Sequence, residues 1–339
     1  MPKKTPENVQ SENPRALEIL SAFKSFFGLI VIFAIASVIC VRNGRNLFLS
    51  AGNLGNVARA ISENGIMAIG MTLVILLGGI DLSVGAILGL TATASAALLV
   101  SGKSMLTALL LVLGMSALFG MFNGAVSTKL GVQAFIVTLA SMSIERGIAR
   151  FWSGGQGVPI AYGTGPGQVD PIFQVFSLRI FRTETFTGVP VPAIVFLLLA
   201  VIFSIVLKYT RFGRHVYAVG GNETSAFLCG VKVDQLKITV YTLCSFLAGI
   251  AGVLHAAQQR QGSPNDGSGY ELDAIAAVAI GGTSMAGGKG TIVGTVVGAL
   301  ILGILNNMLQ LNNVDNNLQL VLKGLIIIAA VVLQRERKK

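Results

Sequence analysis

Long apolar runs separated by short polar links fill most of this chain. The runs cover residues 26–41, 61–79, 83–100, 105–128, 132–149, 190–207, 238–257, 272–282, 292–311 and 318–333. Most of them approach the roughly 17 to 25 residues that a helix needs to cross about 30 Å of hydrocarbon. The run at 272–282 is short, which suggests a segment that is broken or buried in protein, because irregular backbone at membrane depth is tolerated only away from lipid. We therefore predict an all-α integral membrane protein with about ten transmembrane helices, some short or broken.

The positions of lysine and arginine orient these helices, because cytoplasmic links carry an excess of both residues. With the N-terminus inside, most basic residues fall on inner segments, including the polar stretch 208–237. Residues 1–25 are then a hydrophilic cytoplasmic N-terminus, 26–333 a single transmembrane domain and 334–339 a basic cytoplasmic tail. The link 150–189, rich in glycine and proline, faces outward. No cleavage site follows the first apolar run, so we expect it to stay as a membrane helix.

Composition agrees with a membrane protein and excludes a soluble globular domain. Hydrophobic residues make up 53% and charged residues 12% of 339 positions, with 41 glycines and a mean hydropathy of +0.74. The apolar runs are continuous rather than alternating, which argues against a membrane β-barrel. A net charge of +10 would suggest a nucleic-acid partner in a soluble protein. Here the inner-loop excess explains the charge, and we expect no nucleic-acid partner.

The polar stretch 208–237 lies between two strongly apolar runs and predicts a large inner loop between spans six and seven. Within it, Asn222 can cap a short helix over 223–228, and Gly230 can end that helix. The stretch is longer than a turn requires and contains a helix, so this loop is a candidate docking surface for a soluble partner. A solvated, positively charged inner loop is the alternative interpretation.

Two glycine-rich strings suggest nucleotide chemistry, and neither has the required spacing. A phosphate loop follows G-x-x-x-x-G-K-[ST], in which backbone amides and a lysine surround the phosphates. In GGTSMAGGKGT, Thr283 stands where the motif requires its first glycine, and Gly290 stands after Lys289 where the motif requires serine or threonine. The other string, around Gly102, has Ala97 at the first position. We expect no cofactor on this chain, and we see no nucleophile with a paired base that would indicate an enzyme.

Cysteine and histidine do not indicate a metal site. Cys40, Cys229 and Cys244 are too scattered for a cluster, and His215 and His255 have no partner at ligand spacing. We interpret the cysteines as small packing residues.

Charged residues at or near membrane depth are the next candidates. Asp81 lies at the break between two spans, where Asp81 or Ser83 can cap the next helix. A proton or ion site at Asp81 is the alternative, since an acid at membrane depth is a functional hypothesis by default. Glu145 and Arg146 lie at the predicted outer end of their span and are interpreted as an interfacial pair or anchors.

Three amide side chains lie in the outer part of the ninth span: Asn306, Asn307 and Gln310. Positions 306 and 310 share one helix face. A polyol substrate could use these amides along its path, and hydrogen bonding between helices explains them equally well.

Glycines at four-residue spacing predict close helix contacts. Gly290, Gly294 and Gly298 would form a smooth ridge on one face, as would Gly85 with Gly89 and Gly120 with Gly124. Helix packing is the favoured interpretation, with a mobile or pore-lining role as the alternative.

Four strings identify a family resemblance: GMTLVILLGGIDLSVGAILGL, QAFIVTLASMSIERGI, TRFGRHVYAVGGNETSAFLCGVKV and GYELDAIAAVAIGGTSMAGGKGTIVGTVVGALILGILNN. Over residues 45–333 the chain resembles the permease subunit of ribose-type bacterial ABC sugar importers. The resemblance implies a multi-pass protein of the bacterial inner membrane in which two permease subunits, identical or different, form the path. It also implies a periplasmic sugar-binding protein and a cytoplasmic ATP-binding subunit, which binds ATP and magnesium.

The same resemblance implies that the short helix in 208–237 is the cytoplasmic coupling helix, which sits in a groove of the ATPase. The residues matched to it are Gly221, Asn222, Glu223, Ala226, Cys229 and Gly230. We expect Ala226 and Gly230 to allow close approach and Glu223 to offer a charged contact.

The function implied is import of a monosaccharide, ribose or a related pentose or hexose, driven by ATP hydrolysis in the partner. An ion-coupled secondary transporter with Asp81 in its relay is the alternative, and it would need no ATPase. The sequence does not identify the sugar.

Overall fold

The computed structural model describes residues 14–42, 44–163, 168–182 and 188–334. Its α-helices are α1 (Pro14–Ile39), α2 (Ala51–Leu76), α3 (Val84–Val100), α4 (Met105–Lys129), α5 (Ala134–Ser153), α6 (Val191–Tyr209), α7 (Arg211–Gly221), α8 (Glu223–Leu228), α9 (Val233–Gln259), α10 (Tyr270–Ile280), α11 (Ile292–Leu311) and α12 (Asn316–Gln334). Two-residue strands are β1 (Val41–Arg42), β2 (Arg45–Asn46), β3 (Val158–Pro159), β4 (Arg179–Ile180), β5 (Val189–Pro190) and β6 (Gln261–Gly262). Residues 1–13 of the predicted N-terminal segment 1–25 and residues 335–339 of the predicted tail 334–339 lie outside the described residues. Residues 14–25 belong to α1, and residue 334 ends α12.

Each of the ten predicted spans coincides with a helix, and the mostly helical fold agrees with the predicted class. Five of the described helices are long and apolar enough to cross a membrane: α2, α4, α6, α9 and α11. The helix α2 begins at Ala51, well before the predicted start at residue 61. The first turns of α2 are polar, and for that reason the apolar pattern did not indicate them as helix. In the structure these turns line a cavity and do not form a loop.

Helix α9 lies at the centre of the fold and packs against α2, α3 and α4. Glycines make these contacts close. A side chain at Gly70 would meet the Cα of Cys244, and side chains at Gly120 and Gly124 would meet the α9 backbone. Because membrane helices gain little from the hydrophobic effect between them, such small residues allow the backbone approach that holds them together.

The short eighth segment is buried in protein. Helix α10 has 11 residues, about 16 Å at 1.5 Å per residue, and residues 273–279 are buried. Between α9 and α10 the chain folds back against α3: a side chain at Gly262 would meet the backbone of Ala92. At Gly262 the irregular backbone is buried against α3, which agrees with the rule that irregular backbone at membrane depth lies against protein.

Arg146 holds the segment between α9 and α10 in place. The interpretation of Arg146 as an interfacial anchor is therefore corrected. Its guanidinium donates to the carbonyl oxygens of Pro264 (2.7 Å), Asp266 and Gly85 (3.2 Å). Its neighbour Glu145 is fully buried, and the Glu145 carboxylate accepts a hydrogen bond from Ser141 Oγ at 2.8 Å. The position near the end of a span indicates an interface, whereas the contacts of both side chains lie within the protein.

The link after α5 contacts the C-terminal end of α9, whereas α8 lies next to the N-terminal end of α9. Strand β3 pairs with β6 in antiparallel register, and a 3-10 helix spans Pro171–Ser177. The Tyr162 hydroxyl donates to the carbonyl oxygen of Ala257 at 2.7 Å. Burial raises the pKa of Tyr162 to about 12.

The stretch 208–237 contains two helices rather than the single one predicted. Helix α7 precedes α8, and Thr210 caps it by accepting a hydrogen bond from Gly213 N at 3.3 Å. Its buried residues Val216 and Val219 are three positions apart, so they lie on one face. The basic residues around them masked this short amphipathic pattern.

Candidate functional site

The short helix in the polar stretch has the bounds expected from the sequence. Helix α8 spans Glu223–Leu228, and Asn222 Oδ1 accepts a hydrogen bond from Ser225 N at 2.8 Å. Gly230 ends it with φ +85°, and Gly230 N donates to the carbonyl oxygen of Phe227 at 2.9 Å. This left-handed conformation is one that glycine adopts without strain.

The outward face of α8 differs from the one expected. Ala226 is only 5% exposed and belongs to the chain's own hydrophobic core, so it does not leave room for a partner. Phe227 and Leu228 are 66% and 79% exposed. The Glu223 carboxylate is bound by Lys237 Nζ at 2.7 Å. Cys229 is exposed, and a side chain at Gly221 would meet open space.

Helix α7 connects α8 to the glycine-rich loop between α10 and α11. The Tyr217 hydroxyl donates to the carbonyl oxygen of Gly290 at 2.8 Å. Gly288 N donates to the carbonyl oxygen of Leu76, at the end of α2, at 2.9 Å. A side chain at Gly220 would collide with both Leu76 and Gly288. The string that failed as a phosphate loop is therefore a contact between α7 and the ends of three helices.

The predicted glycine ridge is split by the structure. Side chains at Gly294 and Gly298 on α11 would collide with the carbonyl oxygens of Gly281 and Ala277 at the end of α10. Gly290 precedes α11 and has φ +155°, so it is not part of the helix face. Spacing alone could not reveal this, because the helix start is set by the Thr291 cap on Gly294 N at 3.0 Å.

A polar cavity of about 510 Å³ lies between α2, α10, α11 and α12. All three amide residues singled out in the sequence, Asn306, Asn307 and Gln310, line it. The other polar lining residues are Asn53, Asn56, Arg59, Glu63, Asn64, Gln259, Tyr270, Asp273, Gln319 and Lys323. The sequence motifs did not indicate these residues. The polar face of early α2 could have revealed part of the set.

The lining is balanced in charge. It contains two basic side chains, Arg59 and Lys323, and two acidic ones, Glu63 and Asp273. Lys323 Nζ lies 2.9 Å from Asp273 Oδ2. A lining with many hydrogen-bonding groups and no excess charge suits a neutral polar solute better than an ion.

The amide side chains of Asn307 and Asn306 differ in their hydrogen bonding within this cavity. The side chains of Asn53 and Asn307 bond to each other reciprocally, both at 2.9 Å. The hydrogen bond between helices expected for this part of α11 is therefore made by Asn307. Asn306 makes no such bond through its amide oxygen to any described residue.

Three ionisable side chains, those of Glu63, His255 and Asp266, form a chain that begins at the cavity lining. His255 Nδ1 lies 2.7 Å from Glu63 Oε2, and His255 Nε2 lies 3.5 Å from Asp266 Oδ2. The His255 and Glu63 side chains are 6% and 7% exposed. This arrangement holds the Glu63 carboxylate in one orientation at the cavity.

The break residues Asp81 and Ser83 lie in a separate buried polar group. Asp81 Oδ1 accepts hydrogen bonds from Ser83 N (2.9 Å) and Ser83 Oγ (2.7 Å), and Ser83 Oγ accepts one from Asn123 Nδ2 at 3.1 Å. Ser83 occupies the N-cap position of α3 but makes no side-chain capping bond. Of the two caps predicted, from Asp81 or from Ser83, the one from Ser83 is wrong, because its hydroxyl donates to Asp81.

Comparison with known families assigns the chain to a class of transporter component. The family described as branched-chain amino acid transport system / permease component matches residues 53–331. This chain belongs to that permease family. The resemblance to transport permeases drawn from its sequence motifs is confirmed.

Individual relatives cover nearly the whole permease. It is 41% identical over 333 residues to the ribose import permease protein of Bacillus subtilis (strain 168), with 98% of each chain covered. It is 41% identical over 315 residues to the ribose import permease protein of Escherichia coli (strain K12), covering 93% of the permease and 94% of that protein. The D-allose transport system permease protein of the same strain is 36% identical over 310 residues, with 91% of each chain covered. No solved structure matches significantly.

Proposed function

We propose that this permease is the transmembrane subunit of an ABC importer that carries a monosaccharide, ribose or a related pentose or hexose, across the bacterial inner membrane. The observation that carries this proposal is the charge-balanced polar cavity between α2, α10, α11 and α12. Its volume lies within the range of about 300 to 1,000 Å³ common for small-molecule sites. The names of the relatives, which refer to import of ribose and transport of D-allose, agree with this substrate class.

The energy for transport comes from a separate cytoplasmic ATP-binding subunit, which binds ATP and magnesium. That subunit docks on α8 through the exposed side chains of Phe227 and Leu228. A periplasmic sugar-binding protein delivers the substrate on the opposite side. A second permease subunit completes the transporter, and an identical copy is the simplest arrangement.

Movement of α8 reaches the cavity through α7. The Tyr217 contact with Gly290 and the close approach of Gly220 to Leu76 and Gly288 link α7 to α2, α10 and α11. All three helices line the cavity. A change in docking between two states of the ATPase therefore alters the cavity through direct contacts, since coupling requires a difference in contacts between the states.

The membrane topology proposed has about ten crossings with both termini in the cytoplasm. Residues 26–333 form one permease domain in it, with 150–189 outside and 208–237 inside. Contacts support the sidedness: the α2–α3 link, α7 and the α10–α11 loop meet at one end of the molecule.

Reporter fusions test this topology. A reporter fused after Lys232 is expected to behave as cytoplasmic and one fused near Val169 as periplasmic, because basic residues are retained inside. Activity of an alkaline phosphatase and a fluorescent-protein fusion at each position measures the side. The reverse pattern contradicts the proposed orientation.

Reconstitution tests the function itself. The permease in proteoliposomes with its ATP-binding subunit and binding protein is expected to accumulate D-ribose only when ATP is present. Omission of either partner is the control. Accumulation driven by a proton or sodium gradient without the ATPase would favour a secondary transporter instead.

A further inference from the structure

Two residues that line the cavity have a buried amide oxygen without a hydrogen-bond donor. Within the described residues, Asn64 Oδ1 on α2 and Asn306 Oδ1 on α11 are buried and accept no hydrogen bond. Both residues line the cavity. The nearby Asn53 and Asn307 side chains show the contrasting case, because each amide satisfies the other at 2.9 Å.

An unsatisfied amide oxygen is unfavourable for folding alone. A buried acceptor that has lost its water and gained no donor weakens the fold, whereas an apolar residue of similar shape is neutral or stabilising at the same place. Packing between α2 and α11 therefore gives no reason for an asparagine at either position. Two such atoms on facing helices point to a donor supplied by a ligand.

A carboxylate adds a third acceptor beside them. Glu63 is adjacent to Asn64 on α2 and lines the same cavity. His255 Nδ1 holds Glu63 Oε2 at 2.7 Å, and Asp266 lies behind the other ring nitrogen. The carboxylate is thereby held in place from outside the cavity, which leaves its other oxygen to the lining.

Acceptors of this kind select hydroxyl donors. Carboxylate and amide oxygens accept hydrogen bonds, and each hydroxyl of a polyol donates one. Arg59 and Lys323 offset the charges of Glu63 and Asp273, so the cavity as a whole favours a neutral ligand over a cation.

We propose that Asn64, Asn306 and Glu63 form a subsite that binds the hydroxyl groups of a neutral polyhydroxy solute, with His255 as the positioning residue for Glu63. This inference rests on the proposed function and assigns residues to its substrate. It predicts that the permease itself contacts the sugar, in addition to any selection made by a binding protein.

Replacement of either asparagine by leucine tests the subsite. Asn306→Leu and Asn64→Leu keep the branching of the side chain at Cγ and remove the acceptor. Saturation-transfer NMR with D-ribose and the purified permease, without binding protein, is expected to show a signal reduced about three- to tenfold, the effect of one lost hydrogen bond. The thermal unfolding midpoint of each variant is expected to equal or exceed that of the wild type, because an unsatisfied atom has been removed.

Asn317→Leu is the matched control, because Asn317 is exposed and lies outside the cavity. It is expected to keep the wild-type D-ribose signal. A wild-type signal in both Asn306→Leu and Asn64→Leu would overturn the subsite. A fall in unfolding midpoint or loss of folding in both would also overturn it, since it would show a structural role for the amides.

Two further results separate the ligand classes and the two proposals. Stabilisation of the wild type, but not of the variants, by sodium or potassium chloride in place of D-ribose would identify a cation site and overturn the polyol assignment. In proteoliposomes, absence of ATP-driven D-ribose uptake by the wild type would count against the proposed function. Wild-type uptake that both variants match would count against the subsite alone.

Discussion

Substitution of Phe227 or Leu228 by aspartate is expected to abolish ATP-driven sugar uptake while the permease still reaches the membrane. Both side chains are exposed on α8, whose Ala226 face is anchored in the core. Burial of one such side chain in a partner is worth about 1.5 to 3 kcal/mol. Its replacement by a charge therefore weakens docking by roughly tenfold to a hundredfold or more. Copurification of the ATP-binding subunit and uptake in proteoliposomes measure the effect.

Leu130→Asp is the control for this experiment. Leu130 is also apolar and 72% exposed, and it lies in the link between α4 and α5 rather than on α8. It is expected to keep the ATPase bound. Ala226→Trp should instead lower the amount of folded permease, because Ala226 is buried in this chain. Normal ATPase binding in both the Phe227→Asp and Leu228→Asp variants would show that α8 is not the docking surface.

Gly294→Leu is expected to lower the amount of assembled permease severely. The new side chain would collide with the carbonyl oxygen of Gly281, at the end of α10. Backbone cannot move aside as a flexible side chain can, and overpacking of this kind costs about 1 to 3 kcal/mol or more. Quantitative blotting of membranes and size-exclusion profiles in detergent measure the loss.

Gly114→Leu provides the matched comparison. Gly114 lies within α4, and a side chain there would meet nothing within 4 Å. The same substitution in a helix should then leave the yield of permease unchanged. Equal yields for Gly294→Leu and Gly114→Leu would show that the contact between α10 and α11 does not limit assembly.

Much of the local structure was determined by sequence alone. Helices coincide with the predicted spans because long apolar runs have few stable forms other than a membrane helix. The short helix α8 was predicted with its bounds, since Asn222 and Gly230 act within a few residues of the chain they cap and end. Capping is a local interaction, and so the residues next to a short helix are enough to predict where it begins and ends.

The tertiary structure alone decided which faces and which distant residues meet. It buried Ala226 and exposed Phe227 and Leu228, because the neighbours of α8 come from α7 and α9. It brought Asn64 and Asn306 to one cavity from positions far apart in sequence. Hydrophobicity in a membrane protein determines that a helix inserts but not what it faces, since lipid and protein interior are both apolar. Contacts between helices decide that orientation, and with it the candidate site.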